Sequence, residues 1–153
     1  MIVSRTRDKK ALAKIFNHPK VKDYLSDDLT PDGYYVPVLH EAIIYLMDDS
    51  KKGAVRIDPM NGICCMAHIS TTPAMWGNAS EFAKLSMAWV FKHTRYMKIV
   101  GMIPAYNDKT IGLANKIGMI KEGVVTKAFL KNFVLHDLHI YGVEKHTEDT
   151  ENA

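Results

Sequence analysis

The sequence predicts a mixed α/β fold in an α+β layout: a mostly antiparallel central sheet of six to seven strands flanked by helices. Three features carry this reading. A run of short apolar segments separated by turn residues fills residues 42–70. An amphipathic helical pattern then leads into another apolar strand, and a second helical pattern leads into a long hairpin. A strand reached through a helix crossover lies parallel to its predecessor, whereas hairpins make antiparallel neighbours, so the sheet is mixed.

Taken in order, residues 1–4 form a short strand and Asp8 caps a helix with Leu12, Ile15 and Phe16 at helical spacing. His18-Pro19 stops that helix, and a second short one covers residues 21–25. Thr30-Pro31-Asp32-Gly33 is a turn leading to the aromatic-rich residues 34–38. The meander runs through strands at 42–47, 53–57 and 63–70, with Asn61-Gly62 as a type I′ hairpin turn between the last two. Residues 78–93 read as an amphipathic helix, opened by Asn78 with Glu81 three residues on, the pattern of a capping box. A strand at 99–103 follows, then a helix begun by Asn107 or Asp108 and ended by Gly118 in a left-handed cap. Strands at 124–130 and 133–143 close the chain with a turn around Lys131-Asn132.

A length of 153 residues with 47% hydrophobic content suits one domain, expected over residues 1–145, with residues 146–153 as a disordered acidic tail. No apolar run approaches the roughly 20 residues that span a bilayer, and residues 1–10 lack a signal-peptide core. The expected setting is cytoplasmic. Cys64 and Cys65, the two cysteines, are strand neighbours facing opposite ways and read as buried thiols. The net charge of +3 is scattered, which argues against nucleic acid as a partner and suits an anionic ligand. His136 and His139 fall on opposite faces of a strand, and no zinc motif occurs, so no metal is expected.

The segment 71–79 joins a strand to a helix, with Gly77 and Ala79 just before the first helical turn. Unpaired amides and the positive end of a helix dipole at such a place favour phosphate, and a small residue allows close approach.

Residues 63–123 resemble the core of the GNAT N-acetyltransferase superfamily. The resemblance rests on the loop Ala74-Met75-Trp76-Gly77-Asn78-Ala79, on Asn107-Asp108-Lys109-Thr110, and on the helix end Asn115-Lys116-Ile117-Gly118 followed by Glu122-Gly123. The branch it most resembles contains the acetyltransferases of ribosomal-protein N-termini. More loosely, the chain is similar to small phage-encoded proteins labelled as head-assembly factors, which would place it in a host cytoplasm as a non-catalytic binding or assembly module.

The resemblance implies acetyl-CoA as cosubstrate, held by Ile69, Thr71, Trp76, Gly77, Asn78, Ala79, Asn107 and Thr110, with a backbone amide near residues 69–71 as oxyanion donor. It implies direct attack by a primary amine, on a protein, peptide or small molecule, in a ternary complex; a homodimer is compatible with it. The family's Gln or Arg at the head of the loop is Ala74 here, and its usual tyrosine acid is replaced by Ala114. Thr110 is carried over as the group that serves the leaving thiolate. His68 is the nearest group with a suitable intrinsic pKa for a general base, with Tyr141 and Glu41 behind it.

Overall fold

A computed structural model describes residues 1–146; the expected acidic tail, from residue 147 onward, lies outside the described residues. The chain runs β1 (Val3–Arg5), α1 (Lys9–Phe16), α2 (Pro19–Leu25), β2 (Ile44–Asp48), β3 (Gly53–Pro59) and β4 (Cys64–Thr71). A 3-10 helix, Pro73–Asn78, leads into α3 (Ala79–His93), followed by β5 (Lys98–Pro104), α4 (Asp108–Lys116), β6 (Ile120–Lys131) and β7 (Val134–Glu144). The strands form one seven-stranded sheet in the order β1-β2-β3-β4-β5-β7-β6. Every pairing is antiparallel except β4 with β5.

Strand β2 shows why the sheet is covered on both faces. Ile44 and Leu46 join Val55, Ile57, Phe82 and Val90 in one core, while Tyr45 and Met47 join Leu12, Ile15 and Phe16 in another. Successive strand residues point to opposite faces, so α3 lies on one side of the sheet and α1 on the other. A third, smaller cluster of Ile103, Ala114 and Tyr141 seats α4.

Local chemistry sets the helix ends. Asp8 accepts from the Ala11 amide at 3.0 Å, and His18 accepts from the Lys20 amide with Pro19 at the first position of α2. Asn107 accepts from the Thr110 amide at 3.2 Å, and Gly118 takes a φ of 87° after α4, where the Met119 amide donates to Ala114. Asp8, Asn107 and Gly118 match the sequence reading, whereas His18-Pro19, expected only to stop α1, also opens α2 two residues earlier than expected.

Two local expectations need correcting, and the hairpin turn expected around Lys131-Asn132 sits one residue further on. Asn61 and Gly62 do not adopt the positive φ of a type I′ turn; Asn61 Oδ1 instead accepts from the Ile63 and Cys64 amides at 3.0 Å each, closing a longer loop. The Asn78 and Glu81 capping box does not form: Asn78 makes no side-chain cap bond, because α3 is entered from the 3-10 helix begun at Pro73. The left-handed pair occurs at Asn132 (φ 52°) and Phe133 (φ 62°), the tip of the β6–β7 hairpin.

The β2–β3 turn hangs on one buried carboxylate. Asp48, 3% exposed, accepts from the Lys52 and Gly53 amides at 2.8 Å and from Ser50 at 3.1 Å. Asp48→Ala would strand those amides, so it should destabilise the protein by about 2 kcal/mol in chemical denaturation. Asp48→Asn, which keeps one acceptor oxygen, should lose less.

Candidate functional site

The site begins where the sheet comes apart. Strands β4 and β5 pair only at Cys64–Lys98, Cys65–Ile99 and Met66–Val100. Beyond that point β4 stays with β3 as far as the Gly53–Thr71 pair, and β5 stays with β7 as far as the Pro104–Leu138 pair. Each strand is held by its outer neighbour, and sheet twist carries the two apart. The inner edge of β4 from Ala67 to Thr71 is left without a strand partner.

Two cavities occupy the wedge. The inner one, about 170 Å³, lies between the diverging strands and helices α3 and α4, and its wall includes His68, Ile69, Gly101, Asn107 and Thr110. The outer one, about 230 Å³, is lined by Thr71, Trp76, Gly77 and Ala79 on one side and by Lys109 and Lys116 on the other. Tyr24, Leu25, Ile69, Thr110 and Leu113 line both, so the two adjoin. An elongated ligand can therefore run from the start of α3 into the gap between the strands.

The sequence-predicted residues mostly converge here. Ile69, Thr71, Trp76, Gly77, Ala79 and Thr110 border the outer cavity, and Asn107 and His68 border the inner one. Asn78 borders neither. The segment before α3 is also not the open loop that the sequence suggests. A 3-10 helix directs amides toward carbonyls three residues back, as the Met75 amide does toward Thr72, so fewer remain for an anion. Gly77 faces open space, with nothing within 4 Å of the position a Cβ would take.

Helix α4 offers the wedge its N-terminal turn. Asn107 is 8% exposed, and its carboxamide is committed to the cap. Thr110 Oγ1 has no hydrogen-bond partner among the described residues and stands at the seam of the two cavities. Ala114 is buried against Ile103 and Tyr141, which removes Tyr141 from contention as a base by placing it in the core.

His68 sits opposite Arg56 in the β3–β4 register. Its ring keeps solvent access while protein crowds it from within, and this desolvation lowers its pKa below the ordinary 6.5. Asp58 opposes that shift and Arg56 adds to it. Arg56 grips Asp58 with Nε to Oδ2 at 2.9 Å and Nη2 to Oδ1 at 3.0 Å, and Nη1 donates to the Tyr35 hydroxyl at 3.2 Å. Tyr35 is held in turn by Asn17, which exchanges two 2.7 Å bonds with its backbone. Exposed Glu41 has no place in this group.

The far rim is fixed by a clasp. Lys131 Nζ donates to the carbonyls of Asp23 and Ser26 at 2.7 and 2.8 Å, closing the C-terminal end of α2. Asp28 accepts from the Asn132 and Phe133 amides at 2.8 and 2.7 Å, which supports the left-handed hairpin tip. This holds Tyr24 and Leu25 at the seam. Sequence reasoning missed both, because nothing near them in the chain signals a site; only the clasp, made over more than 100 residues, brings them in. It also missed Lys109 and Lys116, whose role depends on which face α4 turns to the wedge.

Among the described residues no group of three or more His, Cys, Asp or Glu is arranged to hold a metal, and no helix is long and apolar enough to cross a membrane.

No protein-family model and no curated protein matches the chain. Solved structures do. A spermidine N-acetyltransferase from Vibrio cholerae in complex with CoA and spermine superposes with a TM-score of 0.72 at 15% identity, over 94% of each chain. The protein smu.2055 from Streptococcus mutans gives 0.72 at 15% identity, over 94% of this chain and 99% of that one. A GNAT-family acetyltransferase from Bacillus anthracis gives 0.57 at 19% identity, over 67% of this chain and 66% of the other. The chain has the GNAT acetyltransferase fold. At these identities the likeness is one of fold, and the chemistry of the GNAT-like wedge rests on its residues.

Proposed function

We propose that the protein is an acetyl-CoA-dependent N-acetyltransferase, a single catalytic domain over residues 1–145 that works in the cytoplasm. The observation that carries this is the wedge between β4 and β5, adjoined by an outer cavity flanked by Gly77 and two lysines. An extended amide-containing arm can add to the free edge of β4 as a strand would, while phosphates lie in the outer cavity. The neighbour crystallised with CoA and spermine supports an amine acceptor. The free thiols of Cys64 and Cys65 suit a reducing compartment.

In this reading the cofactor is bound along Ile69, Thr71, Trp76, Gly77 and Ala79, with Asn107 shaping the turn beside the thiol end. Asn78 is dropped from the set, since it borders neither cavity. The acceptor amine loses a proton to His68 and attacks the thioester carbonyl directly, within a ternary complex that supplies proximity. A free amide on the edge of β4 near Ile69 to Thr71 stabilises the tetrahedral oxyanion. As the C–S bond breaks, the Thr110 hydroxyl stabilises the departing thiolate. The ribosomal-protein N-terminal branch supplies the acceptor class we favour, an exposed α-amine. A homodimer would use β6, an edge strand with Ile120, Val124 and Val125 exposed.

Two observations favour a second reading, a non-catalytic module on the same fold: Ala114 fills a core position with no hydroxyl, and the segment before α3 is wound tight. Phage head assembly is the specific form of that alternative.

Acetyl-CoA should raise the melting temperature, because a ligand that binds only the native state stabilises it by mass action. Gly77→Glu has room for its side chain, so it should fold normally and lose the shift by setting a carboxylate where phosphate would lie. An unchanged melting temperature at millimolar acetyl-CoA would refute cofactor binding.

The neutral imidazole of His68 is the base form, and its lowered pKa keeps that form populated to below pH 6.5. The acid limb of kcat/KM should therefore bend below 6.5, and His68→Gln should lower the rate by about a hundredfold and remove the bend while leaving CoA affinity intact. A bend that persists in the variant would retire His68.

A further inference from the structure

The two walls of the outer cavity are joined across its mouth by one cation–π contact. Lys109 Nζ lies 3.1 Å from the centroid of the Trp76 ring. The indole is fixed from the 3-10 side, where its Nε1 donates to the Thr71 carbonyl at 3.3 Å. Lys109 is the second residue of α4. Among the described residues the ion pairs engage Lys51, Arg56, Lys98 and Lys131, and Lys109 has none. Resting on the ring costs the ammonium some hydration, which lowers its pKa from the usual lysine value.

A π face holds an ammonium less strongly than a phosphate does, because the phosphate offers a full charge and short charge-assisted hydrogen bonds. Lys116 borders the same cavity seven positions further along α4. At 1.5 Å rise per residue their backbone positions stand roughly 10 Å apart along one helix face, so the two side chains can serve two separate anionic groups. The cavity therefore suits a ligand with phosphate groups at two separated places.

Resting on the reading that this cavity takes the cofactor, we propose that Lys109 is an anion latch, parked on the Trp76 ring in the free protein and drawn off it by the phosphates of the incoming ligand. The exchange does two things. It makes affinity depend on the phosphorylated end of the ligand more than on the pantetheine arm, and it uncovers the Trp76 face at the cavity mouth. With Lys109 moved, the indole is free to lie against the adenine or the arm, so a single displacement reports and completes occupancy.

The test uses full-length protein carrying Trp89→Phe, which leaves Trp76 as the sole tryptophan, excited selectively over tyrosine; Trp89 lies on α3 beside His93 and lines neither cavity. Trp76 emission is followed while CoA or pantetheine is added, and affinities are measured independently by calorimetry. CoA should change the emission; Lys109→Met should weaken CoA by about tenfold, leave pantetheine affinity unchanged and make the emission change on CoA binding smaller than in the parent, because the ammonium is no longer there to be drawn off the ring. The latch is overturned if Lys109→Met binds CoA as tightly as its parent, or if CoA binds the parent with Trp76 emission unaltered. If the parent binds neither CoA nor pantetheine, the cofactor reading falls and takes the latch with it.

Discussion

Three residue pairs of parallel ladder, Cys64–Lys98 to Met66–Val100, join the two halves of the sheet, and the rest of the molecule is organised by how short that join is. On one side β1 to β4 form an antiparallel meander; on the other β5, β7 and β6 form a second antiparallel block. Strand β3 holds β4 as far as Thr71 and β7 holds β5 as far as Pro104, so neither strand is free to close the gap. A longer ladder would seal the wedge and remove the free edge of β4. A shorter one would uncouple Cys65 and Ile99 from the core they share with Phe82 and Val90.

The two outer supports of the wedge are of different kinds. The α3 side is held by apolar burial, with Phe82 and Met75 almost wholly enclosed. The α2 side is held by polar bonds across the sheet, Lys131 on the last carbonyls of α2 and Asp28 on the hairpin amides. Burial fixes position strongly and without direction, whereas the clasp fixes direction through a few bonds near solvent. The α3 wall is accordingly the rigid one, and the rim that carries Tyr24 is the more adjustable.

Local chemistry was legible wherever a few adjacent residues decide the outcome. Asn107 opens α4 with its carboxamide and Gly118 follows it in the positive φ that a residue without a side chain adopts freely, and β2 alternates between two cores as its apolar run suggests. The misreadings share a cause, which is a distant or competing bond that local preference does not register. Pro73 starts a 3-10 turn that makes the Asn78 cap unnecessary. The Asn61 carboxamide satisfies two amides, and the loop no longer needs positive φ. Phe133 takes a left-handed conformation that its own chemistry resists because Asp28 is there to bind its amide. In the site, Gly77 could be nominated from its place before a helix, His68 from its intrinsic chemistry, and Asn107 and Thr110 through the family resemblance, but the contact of Lys109 with Trp76 and the depression of the His68 pKa need the register and the helix orientation.

The account stands or falls on whether the gap between β4 and β5 receives the cofactor arm. Hydrogen exchange of the backbone amides, followed with and without saturating acetyl-CoA, tests this at the atoms concerned. Slowed exchange is expected on the inner edge of β4 between Ala67 and Thr71 and around Trp76 to Ser80, with β1 to β3 unchanged. Exchange on that edge left as fast as in the free protein, while acetyl-CoA is demonstrably bound, would contradict it.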